Sequence, residues 1–121
     1  MLETLLFIGV LTSSALPYDT SRLCDAIGYA ETGNGKTAKE ETNLWNMYHW
    51  QEGTRKLQAF ATVELGKERC QTLWDRNYGR FPDLALAKRY TGDDNAEHWL
   101  RIVCHKYPHS KCTLDKLYVL E

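Results

Sequence analysis

The sequence predicts a mainly α fold: one small helical domain with little or no sheet. Three observations carry this reading. Apolar residues recur at steps of three and four in four separate stretches, the period of a helix that buries one face. Each stretch opens near a capping residue type and closes at glycine or proline. No region alternates apolar and polar residues over the length that a sizeable sheet requires. At 121 residues the chain has the size of one domain with a modest core.

The first helix is expected from Tyr18 to Thr32, with Asp19, Thr20 or Ser21 as its cap and Leu23, Ile27 and Ala30 on its apolar side. Gly33 and Gly35 stop it, because glycine takes the positive φ that helix ends favour. The polar stretch from Asn34 to Thr42 reads as a loop or short turn. Asn43 to Trp50 is rich in apolar and aromatic side chains and is closed by Gly53; Leu57 to Phe60 reads as a short strand or a linker. A long helix follows from about Val63 to Tyr78, capped by Thr62, with Glu64 in its first turn. Its buried stripe is expected to hold Val63, Cys70, Leu73, Trp74 and Tyr78, and Gly79 ends it. Phe81-Pro82-Asp83 opens a short helix to Tyr90, with Pro82 at an early position and Leu84, Leu86 and Ala87 inside; Thr91-Gly92 ends it. In the last helix Asp94 and Glu97 form an acidic variant of a capping box. Ala96, Trp99, Leu100, Val103 and Tyr107 share one face of that helix, and Pro108 terminates it.

Residues 1–17 are set apart as a signal peptide or N-terminal anchor, leaving 18–121 as the domain. Leu5 to Leu11 is an apolar run too short to span a bilayer, and Ser13-Ser14-Ala15 offers the small residues of a cleavage site. The segment before the run has no Lys or Arg, so an uncleaved anchor and a first core helix are the rivals. Cys24, Cys70, Cys104 and Cys112 make an even set in a short chain, which suggests two disulfides with three possible connectivities. Proximity favours Cys104 with Cys112, closing a loop after a helix, and then Cys24 with Cys70, tying two helices. Zinc held between Cys104 and Cys112 with His105 and His109 is an alternative, although the spacing fits no common template. An unpaired buried Cys70 is another.

The net charge of −1 gives no basic surplus of the kind nucleic-acid binding requires. Nothing in the chain calls for a cofactor or a metal. Glu31 is the residue with the clearest chemical potential. It stands in the last turn of a half-buried helix, where unpaired carbonyls carry partial negative charge and disfavour an ionised carboxylate. Desolvation acts in the same direction. Both raise its pKa, as a general acid near neutral pH requires.

Four features occur in order along the chain. A helix ends in Ala30-Glu31-Thr32-Gly33-Asn34-Gly35, and Asn43-Leu44-Trp45-Asn46-Met47-Tyr48-His49-Trp50 follows. Phe60 to Gly66 leads into a long helix, and Tyr78-Gly79 precedes Leu86-Ala87-Lys88-Arg89-Tyr90-Thr91-Gly92 and a Trp-containing helix. This order resembles the lysozyme-like superfamily, in particular small lytic transglycosylases and glucosaminidase-like peptidoglycan hydrolases, over about Tyr18 to Tyr107. The resemblance implies a small lysozyme-like domain in which Glu31 is the catalytic acid. It also implies that Asn46, Met47, Tyr48, His49 and Trp50 form the floor of a glycan cleft, with Tyr90 as an aromatic facing it. Asn46 stands where the family has glycine, and His49 where glutamine is usual.

Aromatic rings suit sugars because pyranose rings present flat C–H faces. Trp45, Tyr48, Trp50 and Tyr90 are therefore the stacking candidates, and Asn34, in the motif with Glu31, is a further substrate contact. His49 is equally a surface histidine, while Trp74 and Trp99 lie on buried helical stripes and are assigned to the core. Glycosidases usually need a second carboxylate, and Glu40, Glu41 and Glu52 are available without a motif behind them. The resemblance implies instead a single-glutamate reaction in which the substrate's own N-acetyl group or 6-hydroxyl attacks. The expected protein is an exported, cell-envelope or phage-associated monomer that cuts peptidoglycan glycan strands, with no stable membrane span after processing. The alternatives are a non-catalytic glycan-binding or structural module of the same fold, in a wall-associated or virion assembly, and a small zinc-stabilised interaction domain.

Overall fold

Four amphipathic helices and one short hairpin account for most of the described residues. The computed structural model describes residues 18–92 and 94–113. The expected signal or anchor segment lies outside the described residues. Helix α1 spans Thr20–Thr32, strands β1 Tyr48–Gln51 and β2 Thr54–Leu57 form the hairpin, and helix α2 covers Val63–Leu73. A π-helical turn, Trp74–Tyr78, prolongs α2; then come α3 Leu84–Thr91, α4 Ala96–Lys106 and the single turn α5 Ser110–Thr113. The protein is mainly helical with one small two-stranded sheet, as the sequence predicts.

Helix α1 packs against α4 and α2, and α4 also receives α3. The buried side of α1 consists of Leu23, Cys24, Ala26, Ile27 and Thr32, against Trp99, Leu100 and Val103 of α4 and the indoles of Trp45 and Trp74. Asp19 caps α1 by accepting from the Ser21 and Arg22 amides. The Asp19 amide itself donates to the Tyr107 hydroxyl at 2.8 Å, which joins the start of α1 to the end of α4. Thr20 donates to Asp75 at 2.6 Å and so ties the same end to the π turn.

Cys24 is bonded to Cys70 and Cys104 to Cys112, the pairing expected from proximity. The first bond fastens α1 to α2 across 46 residues; the second fastens α4 to α5. Both thiols of the zinc alternative are used in a disulfide, and among the described residues no cluster of ligands suits a metal ion. Two disulfides fit an oxidising, extracytoplasmic compartment. No helix among the described residues is long and apolar enough to cross a membrane.

The structure corrects four local expectations. The start of α4 is capped by Asn95, without a side-chain hydrogen bond, and Asp94 lies before it; Glu97 still occupies the first turn, where the helix dipole favours it. Pro82 precedes α3, and Asp83 is the cap, accepting from the Leu86 amide. Val63 is exposed, because α2 turns only Gly66 and Cys70 inward along its α-helical part. Leu57 to Phe60 is not a separate strand: Leu57 closes a hairpin in which Tyr48 faces Leu57 and Trp50 faces Arg55. Glu52 and Gly53, at φ 54° and 77°, make the tight turn; two left-handed residues match the twist of a two-residue hairpin.

Gly66 explains how α2 sits so close to the loop before the hairpin. A Cβ there would fall 2.7 Å from the Thr42 carbonyl oxygen and 2.7 Å from the Trp45 ring. Neither neighbour can withdraw, since Trp45 is fully buried and its indole N–H donates to the Cys24 carbonyl at 2.7 Å. Gly66→Ala is therefore expected to lower stability by about 1–3 kcal/mol, read as a fall in the denaturant midpoint.

Candidate active site

The end of α1 is where the site is built. Gly33 and Asn34 both take left-handed backbone, at φ 62° and 61°, and their amides return to the Tyr29 and Gly28 carbonyls. Thr32, buried beside them, donates to the Leu44 carbonyl at 2.8 Å and accepts from the Gly35 amide at 2.9 Å. The helix end is thereby pinned to the next loop. That loop is held from inside by Asn43, which is fully buried. Its side-chain N–H groups donate to the Met47 and Gln58 carbonyls, and its oxygen accepts from the Trp45 and Met47 amides. All the hydrogen-bonding capacity of this amide is used, as burial of a polar group requires.

This framework delivers Asn46, in left-handed backbone at φ 53°, to the Glu31 carboxyl. Asn46 donates to Oε1 at 3.1 Å, and the Trp99 indole donates to Oε2 at 2.8 Å. The carboxyl is mostly buried, and that burial raises its pKa above the ordinary glutamate range, while the two hydrogen bonds favour the charged form and pull it part of the way back. The direction is upward, as expected from the sequence, with desolvation as the dominant cause. The buried phenol of Tyr90 is pushed well above its ordinary value, first by desolvation and then by the Glu31 charge. It stays protonated and donates to the Trp45 carbonyl at 3.1 Å.

Glu31 opens into a groove of about 700 Å³, ample for a short oligosaccharide segment. Of the other residues singled out in the sequence, Asn46, Met47, Tyr48 and Tyr90 line it. Trp45 does not: it is part of the core beneath the groove. Trp50 and His49 lie outside the lining, Trp50 projecting into solvent at 73% exposure and His49 on the opposite face of β1. Asn34 also lies outside it and serves the helix terminus. None of Glu40, Glu41 and Glu52 reaches the groove, and among the described residues Glu31 is the one carboxylate in its lining.

Sequence reasoning missed Trp99, assigned to the core. It is in the core, only 3% exposed, yet its N–H reaches the carboxyl from beneath. A buried indole N–H needs an acceptor, and that requirement was the available signal. The π turn was also unforeseen. Such turns recur at functional sites, and here the turn begins at Trp74, which is fully buried, and ends at Tyr78, on the groove, with the two rings 4.3 Å apart. Arg55, Arg69 and Arg89, also in the lining, come from three different elements and have no periodicity to link them.

Two measurements check this electrostatic balance. Trp99→Phe removes a donor to the carboxylate, so Glu31 should titrate at higher pH than in the wild type, by carbon NMR of labelled glutamate. A raised carboxyl pKa means that the folded state binds its proton more tightly than the unfolded state does. The associated stability is present below about pH 4.3, the unfolded value, and is lost as pH rises through the folded value. The melting temperature of Glu31→Gln relative to wild type should therefore rise between about pH 4 and pH 7; a constant or falling difference would contradict the shift.

Compared with known proteins, the chain matches no family model, no curated protein and no solved structure.

Proposed function

We propose that this protein cuts the glycan strands of peptidoglycan, with Glu31 as a single general acid and base. The observation that carries this reading is one mostly buried carboxyl with a raised pKa, held by two donors, in a sugar-sized groove with no second carboxylate among the described residues of its lining. The fold reading that accompanies it is a small lysozyme-like domain of the lytic-transglycosylase or glucosaminidase-like kind, acting outside the cytoplasm as a monomer in the cell envelope or with a phage.

The chemistry needs little else. Glu31 gives its proton to the glycosidic oxygen as the bond to the anomeric carbon breaks, and charge develops on an oxocarbenium-like ring. The carboxylate left behind then takes a proton from the attacking hydroxyl. If the substrate's own 6-hydroxyl attacks, the product is an anhydro sugar; if water attacks, it is a reducing end. Asn46 and Trp99 fix the carboxyl during both transfers, and their hydrogen bonds strengthen as it becomes charged. Tyr48 and Tyr78 give the groove aromatic surface on which pyranose rings can rest.

The test is release of soluble muropeptides from purified sacculi. Wild type should release them, and Glu31→Gln should be slower by at least about 10²-fold while melting cooperatively. Equal release by both would remove Glu31 from the mechanism. Binding to sacculi without release by either would favour the glycan-binding module. Product mass separates the two attacking groups, since the anhydro product is lighter by one water.

A further inference from the structure

The groove has a charge opposite to that of the chain. The protein carries a net charge of −1, yet among the described residues the lining holds Arg55, Arg69 and Arg89 against one mostly buried carboxyl, that of Glu31. The three arginines are exposed and come from β2, α2 and α3. None of them forms an ion pair among the described residues, whose salt bridges join Lys67 to Asp25 and Arg80 to Asp83. Two have an aromatic neighbour in place of an acid: the Arg55 guanidinium lies 4.1 Å from the centre of the Tyr48 ring, and that of Arg89 lies 5.7 Å from Tyr78. A cation–π contact of this kind engages no N–H donor in an ion pair, so the guanidinium N–H groups remain for a ligand.

We propose that Arg55, Arg69 and Arg89 make the groove a selector for carboxylate-bearing glycan, so that acidic strands bind in preference to neutral ones of the same length. This rests on the glycan-cutting reading and adds the substrate feature that the site recognises. Planar guanidinium groups match carboxylates bidentately, and rings beside them match sugar faces. A ligand with both features is a polysaccharide with a carboxyl-bearing substituent on alternate sugars: the stem-peptide carboxylates of peptidoglycan or, where no peptide is attached, its free lactyl carboxylates. A glycerol-phosphate polymer fits less well, because it offers the guanidinium groups an anion but presents no pyranose faces to the Tyr48 and Tyr78 rings of the lining.

The experiment is calorimetric binding to Glu31→Gln, which leaves the glycan uncut. The probes are a tetrasaccharide of alternating N-acetylglucosamine and N-acetylmuramic acid with free lactyl carboxylates, its methyl ester, the neutral N-acetylglucosamine tetramer, and a glycerol-phosphate oligomer. The acid should bind about tenfold more tightly than the ester or the neutral tetramer at about 50 mM salt, and the preference should shrink at about 500 mM. Adding Arg69→Gln and Arg89→Gln should bring the ratio towards one, and Arg69→Lys with Arg89→Lys should restore part of it. Equal binding of acid, ester and neutral tetramer would overturn the selection and leave cleavage untouched. Tighter binding of the phosphate oligomer than of the acid would also overturn it. Failure of every glycan to bind would overturn the glycan reading itself, and the selection with it.

Discussion

Two buried polar side chains, Thr32 and Asn43, hold the end of α1 against the loop that follows it, and the geometry of the groove depends on this junction. Thr32 bridges the helix terminus to Leu44 and Gly35. Asn43 braces the loop to the base of the hairpin through Met47 and Gln58. Each places its hydrogen bonds where water cannot replace them, so loosening either would leave buried groups unpaired at a cost of about 1–3 kcal/mol per group. The disulfide between Cys24 and Cys70 and the close approach of Gly66 to Trp45 secure the same junction from the other side.

At the centre of this junction burial opposes hydrogen bonding. Desolvation favours a neutral carboxyl at Glu31, and the donors Asn46 and Trp99 favour a charged one. Desolvation is the larger effect, so the pKa lies above the ordinary glutamate range, and the two donors hold the carboxyl whether or not it carries charge. Trp74, Tyr78, Tyr90 and Trp99 form a continuous aromatic set beside it, with neighbouring ring centres 4.3–5.7 Å apart.

The groove also concentrates positive charge that the overall composition conceals. A net charge near zero describes the average surface, whereas recognition depends on which charges share a cavity. Arg55, Arg69 and Arg89 are far apart in sequence and converge because the hairpin, α2 and α3 surround one opening.

Local signals determined a good deal. The period of three and four, Gly33, Gly79 and Gly92 at helix ends, and the caps Asp19 and Thr62 were sufficient to place the helices and to single out Glu31 in a last turn. These features act within a few residues, so they are legible in one dimension. The register of the hairpin was not, because its turn uses Glu52 in left-handed backbone, a weak turn former whose conformation becomes evident only once the strands pair. Trp45 and Trp50 were equivalent stacking candidates in the sequence, and tertiary structure made one a core residue and the other a solvent-facing one; Trp99, legible as core, proved also to be a partner of the carboxyl. Burial is a property of neighbours brought together from distant parts of the chain, and the pKa of Glu31 and the charge of the groove follow from it. The sequence by itself determined that a carboxyl stands in the last turn of α1, because helix ends are set by neighbours in the chain; only the packing of α1, α4 and the Asn43–Met47 loop decided which groups bury and hold it there.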